Sequence, residues 1–154
     1  MPDSDRSIEK TATVAAGVVI GVDFGTKRIG LAIGQRVTGT AVPLCTIRVG
    51  NVGEPWKTIS ETVVTWRPAL FVVGLSRHPE GRDNPVTEET RRFCGHLQKR
   101  YRLPVVTIDE TLSTADSRRR YFAEPRGSKL AFSDVKDEWA AQVILQTWLD
   151  ESNV

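Results

Sequence analysis

Apolar residues gather in three runs near the start of the chain, Gly17 to Asp23, Ile29 to Gly34 and Thr38 to Ile47, separated by glycine-bearing turns. Turns that short cannot carry a crossover, so the runs predict an antiparallel meander. Pro55 then stands near the start of a segment reaching Trp66, in which Trp56, Ile59, Val63 and Trp66 recur at helical spacing. This predicts an amphipathic helix stopped by Pro68, with the tryptophans as core anchors. ALFVVGL, Ala69 to Leu75, is a continuous apolar run bounded by turn signals, as expected of a central strand buried on both faces. A polar loop follows, Ser76 to Pro85, and then a basic helix, Val86 to Tyr101. PVVTIDE opens at Pro104 and predicts a short strand ending in Asp109 and Glu110. Ser113, with Asp116 three residues on, predicts a capped helix to about Phe122. Glu124 to Ser133 carries Pro, Gly and Ser and predicts a mobile loop, after which Ser133 caps a last helix from Asp134 to about Leu149. Ala140, Ala141, Ile144, Leu145 and Trp148 form the apolar stripe of that helix.

A chain of 154 residues fits one domain with one core. Residues 1–15 are polar and small without periodicity and predict a flexible leader, leaving the domain over 16–150. The apolar share of 40% and the charged share of 26% are those of a soluble globular protein. Net charge is only +2, yet the basic residues cluster, with Arg91, Arg92, Lys99, Arg100 and Arg102 in one stretch and Arg118, Arg119 and Arg120 in another. Such clusters suit a polyanion or a solvated helix face equally well. Cys45 and Cys94 are far apart and form no C-x-x-C, which argues against a metal knuckle and fits buried free thiols in a reducing compartment. The start, MPDSDRSIEK, is charged where a secretory leader needs apolar residues, and no run approaches a membrane span. A cytoplasmic protein is expected.

Acids occupy three notable places: Asp23 at the end of an apolar strand, Glu110 at the end of a later one, and Asp137 on the first turn of the last helix. Each has a plain explanation when taken singly. Asp23 could accept backbone hydrogen bonds in the Gly25 turn, and Asp134, Asp137 or Glu138 could favour the helix dipole. Brought together, carboxylates repel one another and take up protons unless a cation is present, so a joint cluster predicts a divalent-metal site. Hard oxygen ligands favour Mg²⁺ or Mn²⁺, and a pair of such ions serves phosphodiester hydrolysis. His78, with no second His or Cys nearby, reads as an exposed loop histidine rather than a ligand.

VDFGTKRIGLAIG, VTGTAVPL, FVVGL, IDETLST and DEWAAQVIL resemble, in order and spacing, the YqgF family of pre-16S rRNA nucleases, which are related to RuvC-type Holliday junction resolvases. The likeness runs from about Gly17 to Leu149. It implies an α/β, RNase H-like fold, a mixed five-stranded sheet of three antiparallel strands and then two parallel ones, flanked by helices. It also implies a metal-dependent endonuclease using Mg²⁺ or Mn²⁺, with two ions expected, on structured nucleic acid. The family's three acids fall on Asp23, Glu110 and Asp137, with Asp134 and Glu138 close enough to leave the register of the third open. The chain departs from the pattern where Ser76 and Arg77 follow Leu75 in place of Gly-Leu-Pro, and where Thr111 replaces a common arginine. Lys27, Arg28, Arg77, Arg82, Arg118, Arg119 and Arg120 lie on segments that leave or flank the acids and are the expected phosphate contacts.

The partner expected on this basis is nucleic acid, pre-rRNA ahead of branched DNA, within the ribosome or its precursors. Two rival readings come from other classes. VDFGTKRIG also looks like the first phosphate motif of the actin and sugar-kinase ATPases, but those enzymes need two such domains and a second glycine-rich loop. A non-catalytic assembly factor is the other rival, and keeping three acids beside phosphate-binding residues argues against it, because a pure binder gains affinity by losing negative charge there.

Overall fold

The computed structural model describes residues 17–50, 54–78, 80–109 and 131–152. The expected leader and the expected helix from Ser113 to Phe122 lie outside them. The elements are β1 (Val18–Phe24), β2 (Arg28–Gln35), β3 (Thr40–Arg48), α1 (Glu54–Trp66), β4 (Leu70–Leu75), α2 (Pro85–Tyr101), β5 (Val105–Asp109) and α3 (Ala131–Ser152). They build one five-stranded sheet in the order β3-β2-β1-β4-β5. β1 pairs antiparallel with β2 and parallel with β4, β2 pairs antiparallel with β3, and β4 pairs parallel with β5. The expected meander and the two parallel strands are all present. β4 is interior and buried along its whole length, although β1 is the middle strand.

Alternation along the strands divides the core in two. Ile20, Val22, Ile29, Leu31, Phe71 and Val73 face α1 and α2, where they meet Ile59, Phe93 and Leu97. Val19, Ala32, Leu70 and Val72 face α3 and pack on Ala141, Ile144, Leu145 and Leu149. Small residues let α3 come unusually close. A Cβ built at Gly21 would lie 2.7 Å from Leu145 Cβ, and one at Gly34 would lie 2.9 Å from Leu145 Cδ2. Gln142 and Gln146 of α3 also reach β3, an edge strand. Gln142 Nε2 donates to the Ala41 carbonyl at 3.0 Å, and the Ala41 N–H donates to Gln146 Oε1 at 3.0 Å. Side chains thus cover edge groups that would otherwise invite another strand.

Two expectations need correction. Trp66 is 39% exposed and is not a core anchor, whereas Trp56 is half-buried against the core. Trp66 stands at the very end of α1, where Arg67 turns into the left-handed region at φ 46° and leads the chain away toward Pro68. The last helix begins at Ala131, so Ser133 lies inside it and does not precede it as a cap. Asp137 is therefore nearly two turns into the helix and not on its first turn. α2 starts as proline at the first helical position favours: Asn84 caps it, its side chain accepting from Thr87 N at 2.9 Å while Thr87 Oγ1 accepts from Asn84 N at 3.0 Å.

Candidate active site

Asp23 is the sixth residue of β1 and shares the parity of Val19 and Gly21, so it belongs to the sheet face that α3 covers. Its cross-strand partner on β2 is Gly30, and Gly30 in turn pairs with Thr46 on β3. Asp23, Gly30 and Thr46 thus form one row across three strands. α3 lies directly over the middle of that row. A Cβ at Gly30 would run into the backbone carbonyl of Asp137 and lie 2.8 Å from Glu138 N. Only a hydrogen atom fits between sheet and helix here. That contact sets Asp137 and Glu138 beside the end of β1 that carries Asp23.

The depth of Asp137 within α3 removes its plain explanation. Unpaired helix N–H groups, and the dipole effect they carry, are confined to the first turn. Asp137 is instead buried, with its side chain 12% exposed. Arg28 Nε stands 3.1 Å from its Oδ2. The ion pair does not have hydrogen-bond geometry, and among the described residues Oδ2 accepts no hydrogen bond. Glu138 beside it has its pKa raised, first by burial and then by the negative charge of Asp137. The Thr46 hydroxyl opposes that shift without reaching good hydrogen-bond geometry. Two carboxylates on adjacent residues and a third on the same sheet face are hard oxygen donors of the kind Mg²⁺ or Mn²⁺ takes, with the Arg28 guanidinium as the cation now beside the buried Asp137 Oδ2. Among the described residues no three such groups close into a ready metal cluster. Glu110, the third acid of the expected set, follows the last residue of β5 and lies outside the described residues, as do Arg118, Arg119 and Arg120; the side chain of Asp134 does too.

The expected phosphate contacts divide by partner. Lys27 is exposed on the β1–β2 turn, and Arg28 is committed to Asp137. Arg77 and Arg82 belong to a folded loop after β4, not a loose one. Arg77 bridges to Asp83, His78 N–H donates to the Arg82 carbonyl at 2.9 Å, and Gly81 turns the chain at φ 90°. Arg77 Nε lies 3.2 Å from Asp83 Oδ1, Arg91 Nη1 donates to Asp83 Oδ2 at 2.5 Å, and Arg82 Nη2 donates to Glu80 Oε1 at 2.5 Å. The hydrogen bond from Arg91, with Arg77 adding its charge, holds the Asp83 carboxyl below the usual range. His78 is exposed, as expected of a loop histidine. Arg48, absent from the expected set, pairs across the ladder with Arg28 and is exposed at the same sheet end. Only the β2–β3 register reveals it. Both thiols are half-buried and free, and burial pushes the Cys94 pKa up to about 11.

The sequence matches the RuvX family, described as Holliday junction resolvase, over residues 17–151. The chain belongs to this family. A relative named "Putative pre-16S rRNA nuclease" in Methylococcus capsulatus is 50% identical over 140 residues, spanning 91% of this chain and 93% of the relative. A protein of the same name in Legionella pneumophila is 41% identical over 136 residues, spanning 88% and 97%. The fold is similar to Thermus thermophilus RuvC solved with a Holliday junction substrate, at a TM-score of 0.57 and 16% identity, over 89% of this chain and 96% of that one. The fowlpox virus Holliday junction resolvase aligns at a TM-score of 0.55 and 9% identity, over 88% and 99%. At such low identity these two show the RNase H-like fold of the resolvases. RuvX membership places the chain among nucleases, enzymes that hydrolyse phosphodiester bonds. Among the described residues no helix is long and apolar enough to cross a membrane.

Proposed function

We propose that the chain is a metal-dependent endonuclease that matures the 5′ end of pre-16S rRNA in the cytoplasm, working on ribosome precursors, with Asp23, Glu110 and Asp137 as its acids. The observation that carries this reading is the seating of Asp137 over Gly30, the ladder partner of Asp23. Two acids far apart in sequence thereby share one sheet end and one face. The names of the relatives support rRNA as substrate.

Asp23, Glu110 and Asp137 would hold one or two Mg²⁺ or Mn²⁺ ions, and the chemistry such an ion supplies is a more acidic water and positive charge against the developing phosphate anion. The protein supplies position. β1 fixes Asp23 through its pairing with Gly30 on β2, one residue beyond the last β1–β4 partner, Val22, and the close approach of α3 fixes Asp137. Lys27 on the turn, the arginines of the loop after β4, and Arg118 to Arg120 would hold the phosphate backbone. The Arg82–Glu80 pair is exposed and weak enough to exchange for phosphate, whereas Arg77 is half-buried with its Nε against Asp83. Arg28 neutralises Asp137 and keeps it oriented.

Substitution of Asp23→Asn or Asp137→Asn tests the assignment. Cleavage of precursor rRNA should fall by at least about 100-fold while RNA affinity is held or rises. A variant that cleaves normally would remove its residue from the site. A second reading, cleavage of a four-way DNA junction, takes its support from the description of the RuvX family. Strong cutting of such a junction with none of precursor rRNA would reverse the order of the two.

A further inference from the structure

The residue after Asp23 opens onto a different feature. Phe24 points to the opposite sheet face and forms the inner wall of a cavity of about 300 Å³ beneath the β1–β2 turn. Its walls are aromatic. The Phe24 and Phe93 rings stack with centroids 4.7 Å apart, and Trp56 stacks on Phe93 at 5.4 Å. The rim is polar, with Arg92 and His96 on α2 and Thr26 on the turn. His96 meets the Trp56 ring edge-on at 6.1 Å, and Arg100 lies over that ring at 4.3 Å. Glu89 is the one acid on the lining, beside the arginines.

The sheet core does not need this hollow. An apolar cavity closed by protein would be filled with side chains, whereas this one opens at the surface between aromatic rings and polar side chains. Its size is at the low end for small-ligand pockets, about 300–1,000 Å³. That is room for one base and not for a duplex. Flat rings flanked by guanidinium groups are the chemistry that receives an unpaired base together with its phosphate. The cavity also reaches Gly25 and Thr26, two and three residues beyond Asp23, so a strand crossing the turn at Lys27 meets both places.

We propose that the cavity between Phe24, Trp56 and Phe93 receives one unpaired base of the nucleic-acid substrate, with Arg92 and His96 holding its phosphate. This rests on the nuclease reading for its ligand but not on the acids. The site lies on the sheet face away from Asp137 and selects substrates that have a single-stranded step beside the cut. Thr26 and Glu89 can meet the edge of the base, one as donor or acceptor and the other as acceptor.

The test uses the full chain in EDTA, so that nothing is cut, and a short RNA duplex with a single-stranded overhang carrying 2-aminopurine, whose emission falls when the base stacks. The wild-type chain should quench the probe on binding. Arg92 and His96 are exposed, so the double variant R92A/H96A should stay folded. It should bind the overhang RNA about tenfold more weakly and a blunt duplex within about twofold of wild type. Trp56→Phe should keep most of the quenching. Equal losses on both RNAs would overturn the proposal and leave Arg92 an ordinary phosphate contact. Unchanged binding of both RNAs by R92A/H96A would overturn it as well. Quenching by a protein that fails to cleave when Mn²⁺ is added would uphold the cavity and sink the nuclease reading; cleavage without quenching would do the reverse.

Discussion

Replacing Gly30 by alanine probes the geometry of the site without touching any charged group. The added Cβ would collide with the Asp137 carbonyl and lie 2.8 Å from Glu138 N. Apolar contacts settle at about 3.5 Å, so Glu138 N must retreat by about 0.7 Å and the carbonyl by more. Backbone cannot rotate out of the way as a side chain can, so this end of α3 must lift from the sheet. Overpacking of this kind costs about 1–3 kcal/mol of stability. A displacement of about 1 Å at a reacting centre lowers the rate about 100-fold. Gly34→Ala is the matched control. It lies on the same strand under the same helix, but its Cβ would meet Leu145 Cδ2 at 2.9 Å and Leu149 Cδ1 at 3.0 Å, both ends of movable side chains. Urea melts and an RNA cleavage assay on both variants decide the matter. Gly30→Ala should lose far more activity than its stability loss explains, while Gly34→Ala stays within about threefold of wild type. If Gly30→Ala cleaves normally, or if the two variants lose activity equally, the close approach of α3 does not set the site.

Arg28→Ala should lower the stability of the metal-free chain by about 1–2 kcal/mol, between the values for surface and buried pairs, because the Arg28 side chain is 40% exposed and Asp137 is not. Mn²⁺ should then raise the melting temperature of the variant more than that of wild type, and identical melts in EDTA would show that the pair is idle. Asn84→Ala removes the cap of α2 and should destabilise by about 1 kcal/mol, measured by the same melts, with cleavage retained at low temperature. Cys94, with its pKa at about 11, presents only about a thousandth of its thiols as thiolate at pH 8, so alkylation should be slow there and quicken about tenfold per pH unit above it. Fast labelling of Cys94 at pH 7 would contradict that burial.

The sheet was legible because its signals are local. Runs of alternating or continuous apolar residues, with glycine turns between them, define β1 to β4 whatever the tertiary context. Asp23 was legible for the same reason, since a charge at the end of an apolar strand stands out. The start of α3 was not, because Ser133 is a good cap in isolation and nothing in the local sequence says that the helix has already begun at Ala131. Neither Arg28's grip on Asp137 nor the position of Arg48 can be read without the β2–β3 register and the seat of α3. The glycines at 21, 30 and 34 held that information in a muted form. They mark the sheet face that a helix approaches, but not which helix. The aromatic cavity was hidden likewise, since Phe24, Trp56 and Phe93 come from three separate elements and each reads singly as core.

All five strands precede residue 110, whereas the helix that roofs one side of them is the last element described. A chain interrupted before Ala131 would therefore have every strand it needs and still leave Val19, Leu70 and Val72 bare to water, with Asp137 missing from its seat over Gly30. Such a fragment would be sticky and inert at once. Burial of that apolar face and the seating of Asp137 over Gly30 arrive in the same event, the docking of the C-terminal segment.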